Sequence, residues 1–323
     1  MLRIIKSQKG SALIFAVLVM VSMLGFAALA IDTGMILTAD HQLQNAVDAA
    51  ALAGASGLLI NQSVATNRAV AISSLNDCMN RAVVINAANV SYPAATRILV
   101  QANRQVPLFV APILGVNTSA VTAVASALLE PLSETRKLKP WAVPFLNWNI
   151  GEQVLLKAGD NDDAPGTNPS FHYAIDYPPV NKGTPIPGGN AYRDFIMNSY
   201  DGTVTIGDII QVEPGNKVGP TRQGVDYLMS QDPGAFWDTQ QGAVLGSNYP
   251  GFSSPRIIKI PFYDPNSPPG NGRSTITVTG LGSFFLEGMS GKDLIGRFMK
   301  ITTEGTNKGG PGAGLLYQVK LIQ

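Results

Sequence analysis

The sequence has few of the residues on which enzymes depend. Two histidines, His41 and His172, and one cysteine, Cys78, occur among its 323 residues. The HExxH, GxxxxGK[ST] and GxSxG patterns are missing, so zinc peptidase, phosphate-loop and serine hydrolase chemistry lack their usual frameworks. One cysteine excludes an intrachain disulfide, and we expect Cys78 to be a small buried residue. We therefore expect a protein that is not an enzyme and that needs no cofactor.

Charge is also scarce. Charged residues make up 14% of the chain and the formal net charge is +1, whereas soluble proteins average about 25% charged residues. Without a large basic field the chain lacks the usual electrostatic footprint of a nucleic-acid-binding protein. We expect no nucleic-acid partner.

A long apolar run near the N-terminus is the strongest positive feature. Residues 11–31 contain no charge, and as a helix they would reach about 31 Å, enough to cross a bilayer core. The charges on its two sides differ in sign: Arg3, Lys6 and Lys9 precede the run, and Asp32, Asp40 and Asp48 follow it. By the positive-inside rule, residues 1–10 form a cytoplasmic tail, 11–31 span the lipid, and the rest is exported. The alternative is a cleaved secretory signal, with Ala28–Leu29–Ala30 resembling a cleavage site.

The apolar run continues into a helix rich in small residues, LQNAVDAAALAGASG. Residues four apart share a helix face, so Ala46, Ala50 and Gly54 form one row of small side chains. Such rows allow two helices to approach closely. The packing face is predicted to comprise Leu43, Gln44, Ala46, Ala49, Ala50, Ala53 and Gly54. Its partner is either the chain's own residues 63–87 or another subunit, including a second copy of this chain.

The order of these features resembles the N-terminal module of TadG-like (TadE/TadG-type) proteins of tight-adherence (Flp) type IV pilus assembly. That family's pattern is an apolar span, an Asp-x-Gly, and Leu-Gln-x-Ala-Ala-Asp-Ala-Ala-Ala-Leu-Ala-Gly-Ala. Asp32, Gly34, Leu43, Gln44 and residues 48–55 fit it, while Val47 replaces a common alanine. The resemblance implies a pilin-like or assembly role in the bacterial cytoplasmic membrane, with other pilus subunits as partners. A weaker resemblance extends over the strand, short helix and strand of residues 97–129.

Two features of related proteins are missing. Pilin-like relatives carry a glutamate at the fifth position after a processing glycine, but Phe15 stands there after Gly10. Larger TadG-like proteins often carry an Asp-x-Ser-x-Ser metal site, which this sequence lacks. We therefore do not expect peptidase processing or metal-dependent adhesion.

The predicted fold class is α+β. A helical stalk and a small two-stranded, pilin-like module occupy residues 32–130, with a second helix over 61–88 that Asn61 or Ser63 would cap. Strands are expected over 97–106 and 118–129, around a short apolar helix closed by Gly115. After the charged, proline-containing stretch 130–140, residues 139–323 are expected to form a mostly β domain. Its strands are predicted at 153–158, 203–213, 256–263, 274–286 and 313–322, with short helices at 190–199 and 222–230.

The acidic run GDNDDAPGT offers the one candidate for a cation. Asp160, Asp162 and Asp163 supply the hard oxygens that Ca²⁺ prefers. Ala164 and Pro165 occupy positions where an EF-hand loop needs a ligand and a glycine, so the run is predicted to be a solvated turn and not a metal site.

Two functions follow from the sequence. The first is a structural or assembly component, such as a minor pilin-like subunit, of a tight-adherence pilus system, anchored in the membrane with an exported domain. The alternative is an anchored extracytoplasmic module that binds a cell-wall or surface ligand. A surface hydrolase would require a catalytic constellation that the sequence does not display.

Overall fold

The computed structural model describes residues 9–158, 171–215, 217–270, 272–307 and 312–322. The chain folds into two compact units. The first runs to Leu128 and also takes in the last residues from Lys320, and the second is Leu129–Val319. The architecture is α+β, as predicted, with a long helix in the first unit and mostly strands in the second.

One unbroken helix, α1 (Lys9–Gly57), contains both the apolar run and the small-residue stretch. It has 49 residues, which corresponds to about 74 Å at 1.5 Å per residue. No proline occurs within it, and Gly25 and Gly34 have open space where a Cβ would be. The predicted continuity of the two segments is therefore confirmed.

The two halves of α1 have opposite environments. Large apolar side chains between Leu13 and Ile31 are exposed, as in Phe15 (69%) and Phe26 (76%). From Ala39 onward, one face of the helix is buried in the first unit. Among the described residues, α1 is the one helix long and apolar enough to cross a membrane.

The second helix, α2 (Gln62–Ser74), packs on α1. Asn61 caps it as predicted, because its Oδ1 accepts a 2.9 Å hydrogen bond from the Val64 N–H. The predicted extent of 61–88 was wrong. The chain instead turns back in a hairpin of β1 (Asp77–Cys78) and β2 (Arg81–Ala82). Met79 and Asn80 form its two-residue turn at positive φ, 54° and 59°, as type I′ turns require.

An antiparallel sheet completes the first unit. It contains β3 (Val90–Ala94), β4 (Arg97–Pro107) and β5 (Thr118–Pro131). β4 and β5 pair continuously from Arg97 with Leu128 to Pro107 with Thr118, which confirms the two predicted strands. Buried residues alternate along β4 at Ile98, Val100 and Ala102, so one face of the sheet packs against α1. Short 3₁₀ helices occur at Ala87–Asn89 and Ala111–Leu114, the latter closed by Gly115 in the left-handed region.

The second unit consists mainly of strands. They are β6 (Glu134–Thr135), β7 (Trp141–Pro144), β8 (Gln153–Ala158), β9 (Phe171–Asp176), β10 (Val204–Thr205), β11 (Ile209–Val212), β12 (Phe236–Asp238), β13 (Ala243–Leu245), β14 (Ile257–Tyr263), β15 (Thr275–Ser290), β16 (Asp293–Phe298), β17 (Ile301–Thr302), β18 (Gly305–Thr306) and β19 (Leu316–Ile322). Its two α-helices are α3 (Gly189–Asn198) and α4 (Val218–Gln231).

Seven of these strands form one sheet, and six of them close into a barrel. Starting from β15, the hydrogen-bonded neighbours are β14, β7, β9, β8 and β16, and β16 pairs with β15 again. The long strand β15 permits a second closure, because its first residues pair with β11, which also pairs with β9. Closure of this kind removes exposed sheet edges.

Both faces of the central barrel strands are buried, which explains their continuous apolar sequences. Along β7, Trp141 and Val143 join one core and Ala142 joins the other. The first of these cores also receives Tyr192 of α3. There, the Trp141 Nε1–H donates a 2.6 Å hydrogen bond to the Tyr192 hydroxyl, whose oxygen lies 3.1 Å from that of Thr221.

Several strands of the second unit were not predicted. β7 follows Pro140 and ends at Pro144, and β16 contains Gly296; proline and glycine normally argue against strands. Gly296 is required because a Cβ there would lie 2.1 Å from the Phe285 carbonyl oxygen. The predicted strand 203–213 is two strands, β10 and β11, separated by a turn at Gly207 with φ 97°.

Candidate functional site

The small residues of α1 fit closely against α2 and β4. A Cβ added at Gly54 would lie 2.5 Å from Ile98 Cδ1 and 3.2 Å from the Ala69 Cβ. A Cβ at Gly57 would lie 2.6 Å from the Ala65 Cα. The close approach of α1 and α2 within the first unit therefore requires glycine at these positions.

The structure divides the predicted packing face into two groups. Leu43, Ala46, Ala50 and Gly54 are buried inside the first unit, so their contacts lie within the chain's own fold. Gln44, Ala49 and Ala53 are half-buried and form the accessible part of this face. A contact of this face with another subunit stays a prediction, and it would depend on the half-buried group.

Polar contacts fix α1 on the sheet. The Gln44 Nε2 donates hydrogen bonds to Asp48 Oδ1 at 2.8 Å and to the Val124 carbonyl oxygen at 3.2 Å.

Cys78 is buried, as predicted, with its Sγ 3.4 Å from the Ala39 carbonyl oxygen. The Arg104 guanidinium donates to the carbonyl oxygens of Cys78, Arg81 and Ala82 and so holds the β1–β2 hairpin.

Asp32 links α1 to the turn between β4 and β5. Its two carboxylate oxygens accept hydrogen bonds from the backbone N–H groups of Phe109 (2.7 Å), Val110 (3.2 Å) and Ala111 (2.7 Å). Only 6% of Asp32 is exposed, and a buried carboxylate requires such partners. No local sequence pattern identifies this partner, which lies 77 residues away along the chain.

Among the described residues of the second unit, two clefts are lined by charged side chains. The first, of about 450 Å³, is lined by Lys137, Lys139 and Lys259 together with Glu304. The Lys139 Nζ donates to the carbonyl oxygens of Ile196 and Met197 at the end of α3. Burial lowers the pKa of Lys139 to about 7 and that of Lys259 to about 8. Because Lys139 is held by these carbonyls, Lys137 and Lys259 are the groups that can donate to an anionic ligand in this cleft.

The second cleft is smaller, about 50 Å³, and Glu213 and Lys217 line it. Glu213 pairs with Lys217 at 2.7 Å and its carboxyl group lies beside the buried Asp176. Burial and the neighbouring Glu213 raise the pKa of Asp176 to about 8. Asp176 Oδ2 and Glu213 Oε2 have no hydrogen-bond partner among the described residues, so a proton shared between the two carboxyls best satisfies both. Neither carboxylate has a sequence signal, because 36 residues, which include α3 and β10, separate them along the chain.

The remaining residues named from the sequence are the acidic run at residues 160–163 and His172. Asp160, Asp162 and Asp163 lie outside the described residues. Within the described ranges, no group of three or more His, Cys, Asp or Glu side chains is placed to hold a metal ion. His172 is buried, with its Nδ1 3.1 Å from the Leu156 carbonyl oxygen and its ring edge-on to Trp141.

Comparison with known families adds an independent observation. Residues 10–57 match the family model described as putative Flp pilus-assembly TadE/G-like. The match confirms the predicted resemblance and covers all of α1 except Lys9. The match supports a role related to Flp pilus assembly. Comparisons with curated proteins and with solved structures gave no significant match.

Proposed function

We propose that this chain, whose residues 10–57 form a TadE/G-like module, is a membrane-anchored structural subunit of a tight-adherence pilus machine. In this proposal α1 crosses the cytoplasmic membrane once, with its N-terminus inside. Both folded units then lie outside the cytoplasm, where they contact other pilus subunits. The chain supplies shape and contacts, not catalysis.

The exposed apolar half of α1 is the observation that carries the proposal. Each large apolar side chain left in water forgoes about 1.5–3 kcal/mol of burial free energy, and most positions from Leu13 to Ile31 are exposed. A bilayer removes this cost without requiring a protein partner along the whole helix. The basic residues before the run and the acidic ones after it support the orientation.

The anchor is tested on the native protein. Membranes washed with alkaline carbonate should retain the chain, and mass spectrometry should find an N-terminus near Met1. A start near Asp32 with release into the wash would show a secreted protein instead. A start at Ser11 would show pilin-like processing despite Phe15.

The subunit contact is tested at the half-buried positions of the packing face. Ala49→Leu and Ala53→Leu should leave the protein folded and abundant but reduce surface pili, because they enlarge accessible positions of α1. Leu52 is 36% exposed on the same helix, and Leu52→Met serves as the control that should leave piliation unchanged. Normal piliation in both Ala49→Leu and Ala53→Leu would refute a pilus contact through this face.

The lysine-lined cleft supports a second candidate function, an anchored module that binds an anionic cell-wall component. Calorimetric titration of the full chain with a polyanion such as teichoic acid should then show saturable binding that Lys259→Met weakens. Lys320→Met is the control, because Lys320 is exposed and is not one of the residues that line the cleft. If the heat of binding does not saturate in the unaltered chain or in either variant, this function is excluded.

A further inference from the structure

The turn between β4 and β5 carries apolar side chains that point away from the first unit. Phe109 is 75% exposed, Ile113 83% and Val116 51%. No charged residue occurs between Gln105 and Leu129. Solvent-facing turns are usually polar, so this composition requires a different environment.

The position of the turn identifies that environment. Val110, Ala111 and Ile113 line a groove of about 480 Å³ together with α1 residues from Val21 to Leu29. These α1 residues lie about 3–15 Å before Ile31 along the helix axis, at 1.5 Å per residue. Since Ile31 ends the apolar run, the turn lies beside the outer part of the segment that would occupy the bilayer.

The backbone of the turn is also suited to an apolar medium. In hydrocarbon every peptide N–H must find a partner inside the protein. Asp32 accepts from three consecutive N–H groups, those of residues 109–111. The N–H groups of Leu108, Ile113, Gly115 and Val116 donate to carbonyl oxygens within the turn, and Pro112 has none to satisfy.

We propose that the β4–β5 turn is a second membrane contact, in which Phe109, Ile113 and Val116 insert among the acyl chains of the leaflet nearest Asp32. This inference rests on the proposed membrane anchor. Lipid is favoured over a protein partner because the groove continues the lipid-facing surface of α1. Asp32 supplies the one polar side chain among the residues that line the groove, and the turn satisfies its carboxylate. Insertion of apolar side chains at the edge of a bilayer is a familiar mode of interfacial binding. The turn would fix the tilt and height of the first unit on the membrane.

Depth-dependent fluorescence tests the proposal on the full chain. Cys78→Ala removes the one cysteine, and single cysteines are then introduced by Ile113→Cys, Leu18→Cys and Val84→Cys. Each is labelled with an environment-sensitive fluorophore and reconstituted into phosphatidylethanolamine–phosphatidylglycerol vesicles with or without acyl-chain-brominated lipid. Leu18 reports the anchor, and Val84, 81% exposed in the same unit, reports water.

The expected result is blue-shifted emission and bromolipid quenching at Ile113, comparable with the quenching at Leu18, and neither effect at Val84. Quenching at Leu18 without quenching at Ile113 would overturn the turn insertion and leave the anchor intact. Disulfide crosslinking of unlabelled Ile113→Cys between two chains, with no quenching, would overturn it in favour of a second copy. Absence of quenching at Leu18 would refute the anchor and the insertion together.

Discussion

Glycine-to-alanine substitutions along α1 provide a graded test of the helix packing. At Gly34 an added Cβ meets nothing within 4 Å, so Gly34→Ala should stabilise the helix by about 0.5–1 kcal/mol. At Gly54 the new Cβ meets the movable end of Ile98 at 2.5 Å. This overpacking should lower the free energy of unfolding by about 1–3 kcal/mol, and the helix preference of alanine partly offsets the loss. At Gly57 it meets the Ala65 backbone at 2.6 Å, which cannot move aside, so the net loss should reach about 2–3 kcal/mol.

The buried thiol of Cys78 is the probe for this series. It lies in the first unit beside α1, so its reaction rate with a thiol reagent reports opening of that unit. In micelles, Gly57→Ala should raise the rate about 30- to 150-fold, since each 1.4 kcal/mol is a factor of ten. Gly54→Ala should raise it less, and Gly34→Ala should lower it. Equal rates in all three variants would refute the close approach of α1 and α2.

Three further predictions concern polar groups. The pKa of Asp176, about 8, exceeds that of an unfolded aspartate, about 4, so unfolding releases a proton. The second unit should therefore lose stability as pH rises from about 5 to about 7, and Asp176→Asn should flatten this dependence in tryptophan-monitored urea unfolding. Tyr192→Phe leaves the Trp141 N–H without its acceptor and should cost about 1–3 kcal/mol in the same assay. Asp32→Ala should accelerate hydrogen exchange of amides 109–111, with Asp32→Asn intermediate; unchanged exchange would contradict the observed contacts.

Local patterns were sufficient to predict α1, β4 and β5. The charge-free run and the four-residue spacing of Ala46, Ala50 and Gly54 both follow helix periodicity, and β4 alternates apolar and polar residues. The end of α2 was mispredicted because Leu75, Cys78 and Met79 continue the apolar pattern of Val64 and Ala71. The hairpin in which the chain turns back depends on a turn at Met79 and Asn80. Positive φ at a methionine has no local signal.

The remaining features depend on contacts between distant residues. The partner of Asp32 is a loop brought beside it only when β4 and β5 pair. The Asp176–Glu213 pair exists because β9 and β11 become neighbours in the barrel. Gly296 in β16 is explained by the Phe285 backbone and the Phe284 ring across the strand pair, which single-sequence patterns do not contain.

The orientation of α1 in the membrane is the central claim, and accessibility of two cysteines in intact cells tests it most directly. In the Cys78→Ala background, Ser7→Cys precedes the apolar run and Val84→Cys lies beyond it on the surface of the first unit. With the outer layers of the cell permeabilised, a membrane-impermeant thiol reagent should label Val84→Cys at once and Ser7→Cys only after the cytoplasmic membrane is disrupted. Immediate labelling at both positions, or at Ser7→Cys alone, would contradict a single crossing with the N-terminus inside.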